Sequence, residues 1–258
     1  MKNPNKKAER QKEILQILQK RNGASMKYLA QKLNVSDMTI RRDLSELEFR
    51  EAVTLIQGVA IYNHPVVPAN KEYNIAEASD IHRNEKNKIG QKAAALLEKD
   101  DVIIIDTGTT TEYLARHIPA DLRLTALCYN KNTLIELTKR SNIKIIMPGG
   151  YYHPNTQMFE SPEGLSIIKR TCANKAFISA AGITPKLDVT CMDQYEIDAK
   201  KTAIQSSIMK ILVADSSKFD KICPALFARV SDFDVLVTDG NLSREWRDRL
   251  QEEGIRII

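Results

Sequence analysis

Leu29-Ala30-Gln31-Lys32-Leu33-Asn34-Val35-Ser36-Asp37-Met38-Thr39-Ile40-Arg41-Arg42-Asp43-Leu44 is the stretch on which the reading of this 258-residue chain turns. Leu29, Ala30 and Leu33 share one helical face, and Ile40, Leu44 and Leu47 recur at i, i+4 and i+7 on another. Asn34-Val35 makes a tight turn between them. Ser36 is a natural N-cap, because its hydroxyl can accept from the first free amides of a helix. The spacing predicts a short helix over about Met26–Leu33 and a longer one from Ser36 to about Glu48. Upstream, Ile14, Leu15, Ile17 and Leu18 predict a first helix that Asn22-Gly23 stops. Downstream, Ala52–Ile56 and Val59–Tyr62 flank Gln57-Gly58 and predict a two-stranded wing.

Two helices joined by a short turn, the second with an exposed basic face, match a helix-turn-helix. Burying Ile40, Leu44 and Leu47 leaves Ser36, Asp37, Met38, Thr39, Arg41 and Arg42 as the candidate DNA-reading set. Arginine can grip guanine O6 and N7, or a phosphate, and threonine can meet a thymine methyl. Charge agrees. Residues 1–60 hold 12 Lys and Arg against 7 Asp and Glu, and the other 198 hold 26 of each, so the net charge of +5 sits in the first quarter. The plainer readings of the same residues are a solvated lysine-rich tail and a three-helix domain that contacts protein.

The pattern changes after His64–Asn70, where Pro65 and Pro68 read as a linker. Short apolar runs at 102–105, 122–127, 143–147, 176–180, 211–214, 235–238 and 255–258 alternate with candidate helices near 85–98, 110–117, 132–140, 195–209 and 243–253. Such alternation predicts a mostly parallel sheet covered by helices. The expected division is therefore a winged helix-turn-helix at 1–62, a linker at 63–77 and an α/β domain at 78–258.

The most chemical stretch of that domain is Asp106-Thr107-Gly108-Thr109-Thr110-Thr111, between a strand and a helix. Helix starts offer unpaired N–H groups and a positive dipole end, Gly108 permits close approach, and the threonines add hydroxyl donors. An anion site and a bare threonine-capped helix start both fit. The loop lacks the Gly-Lys-Thr/Ser of a Walker A motif and is not GxGxxG.

The run Tyr28-Leu29-Ala30, Leu33-Asn34-Val35-Ser36 and Thr39-Ile40-Arg41-Arg42-Asp43-Leu44, continued by Leu47-Glu48, resembles the DNA-binding signature of the DeoR family of bacterial regulators. Arg50-Glu51 and Gly58-Val59-Ala60 stand where that family has a Gly and a wing Gly-Gly-Ala. The second half resembles the family as well. It carries Asp106–Thr111, Asn130 between Tyr129 and Lys131 in place of Thr-Asn-Ser, Gly149-Gly150, Glu196 with Lys200, and Ala214-Asp215-Ser216-Ser217-Lys218-Phe219. The resemblance implies a sensor domain shaped like ribose-phosphate isomerases and CoA transferases, binding a phosphorylated sugar or related metabolite. It implies a repressor of a sugar-catabolism operon, acting on double-stranded operator DNA as a homo-oligomer, dimer or tetramer. The implied effector residues are Asp106, Thr107, Gly108, Thr109, Thr110, Thr111, Asn130, Gly149, Gly150, Glu196, Lys200 and Lys218. Among them Lys200 and Lys218 would balance charge, and Asp106 and Glu196 would accept from sugar hydroxyls.

The same kinship raises a sugar-phosphate isomerase-like enzyme with an accessory DNA-binding domain as the rival. Isomerisation needs a base beside the reacting carbon. Related isomerases place acids in the loop after a mid-domain strand, and Ser179-Ala180-Ala181-Gly182-Ile183 has none. Asp106, Asp188, Asp193, Glu196 and Lys200 are the groups that could still converge. No catalytic residue is assigned. His64, His82, His117 and His153 are scattered, and Cys128, Cys172, Cys191 and Cys223 form no Cys-x-x-Cys pair, so no metal and no cofactor is expected. With 43% apolar and 28% charged residues and no membrane-length apolar run, a cytoplasmic protein is expected.

Overall fold

The computed structural model describes residues 4–21, 23–63 and 74–258. The chain divides into two compact units, 1–66 and 67–258. The expected linker stretch His64–Asn70 lies outside the described residues.

The first unit contains α1 (Pro4–Arg21), β1 (Ala24–Ser25), α2 (Met26–Lys32), α3 (Asp37–Phe49), β2 (Val53–Ile56) and β3 (Val59–Tyr62). Ser25 and Ser36 cap α2 and α3 by accepting from Tyr28 N and Thr39 N. Ile14, Leu18, Leu29, Ile40, Leu44 and Leu47 form its core, as the apolar stripes require. The wing forms without the family's second glycine. Gln57 (φ 48°) and Gly58 (φ 82°) supply the two positive φ values of a type I′ turn, which matches strand twist. Antiparallel β1-β3-β2 pairing then adds a third strand that the sequence did not announce.

The second unit opens with α4 (Ile75–Asp80) and α5 (Arg83–Ala94). It continues through β4 (Val102–Ile105), α6 (Thr109–His117), β5 (Leu124–Cys128), α7 (Lys131–Thr138), β6 (Ile143–Ile146), β7 (Tyr151–His153) and β8 (Met158–Glu160). Next come α8 (Pro162–Arg170), β9 (Ala173–Ser179), β10 (Gly182–Ile183), β11 (Asp188–Cys191), α9 (Glu196–Gln205) and β12 (Ser207–Val213). The chain ends with β13 (Ala225–Arg229), β14 (Val235–Val237), α10 (Arg244–Glu252) and β15 (Arg256–Ile257).

All seven expected apolar runs lie in one parallel sheet, ordered β15-β14-β12-β9-β4-β5-β6. Its strands read as unbroken apolar runs because both faces are covered. Ile103, Ile105, Phe177, Ile211 and Val213 pack on one side with residues of α5, α6 and α7. Ile104, Ala176, Ile178, Leu212 and Leu236 pack on the other with residues of α8, α9 and α10. From β4 the sheet grows one way through β5 and β6, and from β9 the other way through β12, β14 and β15. The β4/β9 boundary is thus a topological switch point, where open α/β sheets receive ligands beyond the carboxyl ends of their strands.

Three local expectations need correction. The helix near 195–209 ends at Gln205, because Ser207–Met209 already pair with β9. The antiparallel set β10-β11-β13 and the hairpin β7-β8 add five strands beyond the parallel sheet. Helix α4 starts inside the expected 63–77 linker, and Ile75 N donates to Asn155 O at 2.8 Å.

Candidate functional site

In the first unit, α3 carries the candidate reading face. Ser36 Oγ and Thr39 Oγ1 lie 2.9 Å apart at its start. Ser36, Asp37, Met38, Arg41 and Arg42 are exposed and Thr39 is half-buried. Asp43, next to the arginines, does not neutralise them. It is 1% exposed and accepts from Arg10 Nε at 2.5 Å and Arg10 Nη2 at 3.2 Å. This hydrogen-bonded pair raises the Arg10 pKa despite some desolvation. Glu46 is similarly taken by Lys7 and Gln11. Helix α1 thereby holds Asp43 and Glu46, two of the four acids of α3, and among the described residues Arg41 and Arg42 make no ion pair. A free pair of guanidinium groups at a helix's outer face suits a polyanion.

In the second unit, a cavity of about 330 Å³ opens beyond the carboxyl ends of β4 and β9. One wall is Thr107, Gly108, Thr109 and Thr110, at the start of α6. Gly108 has φ 150°, and a Cβ there would stand 2.7 Å from Ser179 Oγ, so the loop closes only with glycine. Lys86 from α5 and Lys218 from the turn after β12 also line it. Glu196, Lys200 and Cys191 form a further wall, and Asn74, Ile75 and Ala78 of the α4 segment another.

Beneath the cavity lies a buried polar hub. Asp106, 0% exposed, accepts from Lys200 Nζ at 2.5 Å, Tyr129 OH at 2.5 Å, Ser179 N at 2.8 Å and Ser179 Oγ at 3.0 Å. Glu196 Oε2 is 3.6 Å from Lys200 Nζ, and Glu196 Oε1 accepts from Asp193 N at 3.2 Å. Burial pulls the Lys200 pKa down, but Asp106 and Glu196 outweigh it and the ammonium is held above its usual range. Burial raises Glu196 and Tyr129.

Lys86 behaves in the opposite way. It is 2% exposed, and its Nζ donates to the backbone oxygen of Ala78 rather than to a carboxylate. Burial first, and the charge of Lys218 second, bring its pKa down to about 8, against the weaker pull of Asp215, Glu112 and Asp80. The cavity is therefore lined by a desolvated cation, a second cation and the start of a helix, a set that complements an anion.

Two family models match this chain: the DeoR-like helix-turn-helix domain over residues 10–66 and the DeoR C terminal sensor domain over residues 81–240. The chain belongs to the DeoR family. It is a DNA-binding transcriptional regulator. Its relatives include the deoxyribose operon repressor of Escherichia coli, 29% identical over 253 residues and 98% of each chain. The lactose phosphotransferase system repressor of Streptococcus mutans is 32% identical over 235 residues, 91% of this chain and 92% of that one. In fold, the second unit overlaps in part with a ribose 5-phosphate isomerase from Methanocaldococcus jannaschii, at TM-score 0.40 and 14% identity over 53% of this chain and 54% of that chain.

Of the sequence-derived effector residues, Thr107, Gly108, Thr109, Thr110, Glu196, Lys200 and Lys218 line the cavity of this DeoR-family chain. Five do not. Asp106 is buried under the wall and its oxygens are occupied by the hub. The Thr111 hydroxyl turns back to Gly108 O at 3.0 Å. Asn130 is buried at the N-cap of α7, donating to Asn132 and to Thr133 Oγ1. Gly149 and Gly150 make the turn into β7, where Gly150 packs on the backbone of Glu160. The isomerase candidate Asp188 packs against Thr184 and is not part of the wall.

Lys86, Ser179, Thr156 and the α4 segment were not read from the sequence. Lys86 left one trace: it falls on the stripe of Ile89, Gly90 and Ala93, where a lysine has no reason to be buried unless it serves a site. Among the described residues, no cluster of three or more His, Cys, Asp or Glu is placed to hold a metal, and no helix is long and apolar enough to cross a membrane.

Proposed function

We propose that the second unit receives a phosphorylated sugar or a related phosphorylated metabolite, and that its occupancy sets how tightly the first unit holds operator DNA. The observation that carries this reading is the meeting, in one cavity, of the α6 helix start with Lys86 and Lys218, neither of which has a carboxylate partner among the described residues. First-turn amides and threonine hydroxyls supply donors, and the two lysines supply charge. Glu196, on the adjoining wall, offers an acceptor to ligand hydroxyls, while Lys200 spends its three donors on Asp106 and Ser179. A cavity of about 330 Å³ is of the size that takes small metabolites.

In the first unit, Ser36, Asp37, Met38, Thr39, Arg41 and Arg42 read operator DNA. Because one helix-turn-helix offers few base contacts, the active form is a homo-oligomer, dimer or tetramer. The names of the deoxyribose and lactose repressors support a repressor of a sugar-catabolism operon, working in the cytoplasm. The unit acts as a receptor and not as an isomerase: Asp106 is sequestered by four donors, and Ser179, Ala180 and Ala181 bring no acid to the wall. Calorimetry with a sugar phosphate selected by thermal-shift screening, and with its dephosphorylated form, tests the reading. Loss of binding without the phosphate is expected; equal affinity for both forms overturns it. Turnover of pentose or hexose phosphates would restore the enzyme reading.

A further inference from the structure

Helix α4 has little of its own to hold it. It is six residues long, below the length at which a helix is stable alone, and among its described side chains only Ile75 is fully buried. Besides the Asp80–Arg83 ion pair at 3.7 Å, two backbone groups tie it to other segments. Ile75 N donates to Asn155 O at 2.8 Å, in the turn between β7 and β8. Ala78 O accepts from Lys86 Nζ. Past Asp80, the chain turns into α5 through His82 at φ 56°, a left-handed conformation that costs energy for a residue other than glycine and suits a hinge.

The second tie is the informative one. Lys86 lines the same cavity as the α6 helix start, so one ammonium serves both the anion site and α4. An ammonium has three donors, enough to keep Ala78 O and still meet an anion. In the empty cavity its charge is disfavoured by burial and by Lys218. An anion relieves that penalty and holds the ammonium in place while it keeps its bond to Ala78 O. The same α4 segment contributes Asn74, Ile75 and Ala78 to the wall, so it also gains direct contact with any occupant.

We infer that α4 is an occupancy-dependent clasp: an anion in the cavity fixes α4 through Lys86. This inference rests on the anion-receptor reading given above. With α4 released, the first fixed helix of the second unit begins at Arg83. The response is then confined to a short order–disorder element, and no long-range rearrangement of the sheet is needed.

Hydrogen–deuterium exchange on the full chain tests this with inorganic phosphate as the probe. Phosphate should slow exchange at the first-turn amides of α6 and, together with them, slow the amides of α4 by about tenfold or more. In Lys86→Met, α4 should exchange fast without phosphate and gain no protection with it, while the core strands β4 and β9 stay protected. Protection of α6 by phosphate with α4 unchanged overturns the clasp and leaves the receptor reading standing. Undiminished α4 protection in Lys86→Met, without any ligand, overturns it as well. If phosphate fails to protect α6 at all, the receptor reading itself fails, and the Lys86→Met result alone judges the tie to α4.

Discussion

Binding of a phosphorylated ligand should draw a proton from solution at mildly alkaline pH, and the source of that uptake is Lys86. In the empty cavity its pKa stands at about 8, lowered by burial and by Lys218. A phosphomonoester is already a dianion well above its second pKa of about 6, so it has no proton of its own to lose at pH 8.5. Placed beside Lys86, two negative charges return the ammonium toward its ordinary value of about 10.4. At pH 8.5 an amine of pKa about 8 is roughly three-quarters neutral, and the bound form is almost fully charged, so about 0.75 proton is taken up per ligand. The same linkage weakens affinity about tenfold, or roughly 1.4 kcal/mol, between pH 7 and pH 9. Titration calorimetry at pH 8.5 in two buffers of different ionisation enthalpy measures the uptake directly. Heats that do not depend on the buffer, or a proton release, would refute the argument that Lys86 meets the phosphate.

The empty protein should show the companion effect: a lysine of depressed pKa disfavours the folded state while protonated, so stability should rise as pH climbs from about 8 toward 10.4, readable in denaturant melts of ligand-free protein. Arg41→Ala or Arg42→Ala should weaken operator binding by about 1–3 kcal/mol in fluorescence anisotropy with folding unchanged; wild-type affinity in both would remove α3 from the reading role. Arg10→Ala leaves the Asp43 carboxylate buried without its partner and should destabilise the first unit by about 3–5 kcal/mol in thermal or chemical melts. Thr110→Ala should reduce the response to effector and leave operator binding intact, whereas Gly108→Val should also lower the melting temperature, because its Cβ collides with Ser179. Limited proteolysis should cut first between residues 63 and 74; early cleavage within 102–215 would contradict two separately folded units.

The parts of the fold that were legible in the sequence are those where one periodicity dominates. Ile40, Leu44 and Leu47 announced α3, and Val102–Ile105 announced a strand buried on both faces. The antiparallel strands escaped because β10 has two residues and the outer strand β13 exposes Leu226 among buried neighbours. Helix α4 escaped because its short sequence carries too little apolar periodicity. Within the site, Thr107–Thr110 could be read because they are contiguous and border a strand. Lys86, Ser179 and Thr156 come from distant segments that meet only at the β4/β9 boundary. Asp106 and Asn130 were over-read: a polar residue beside a loop can face the ligand or lock the wall behind it, and spacing alone does not tell which.

The walls of the cavity divide its work between separate pieces of chain. The proposed anion grip draws on the start of α6, on α5 and on the turn after β12, while Ala180, Ala181 and Met192, from the connections after β9 and β11, also line the cavity. Those three side chains take no part in the hub that locks Asp106. Exchanging them alters the shape offered to the unphosphorylated end of a ligand without disturbing the grip. A lineage built on this scaffold can therefore change which metabolite it answers to by drifting at two alanines and a methionine, and a designer seeking a new biosensor has the same three positions to vary first.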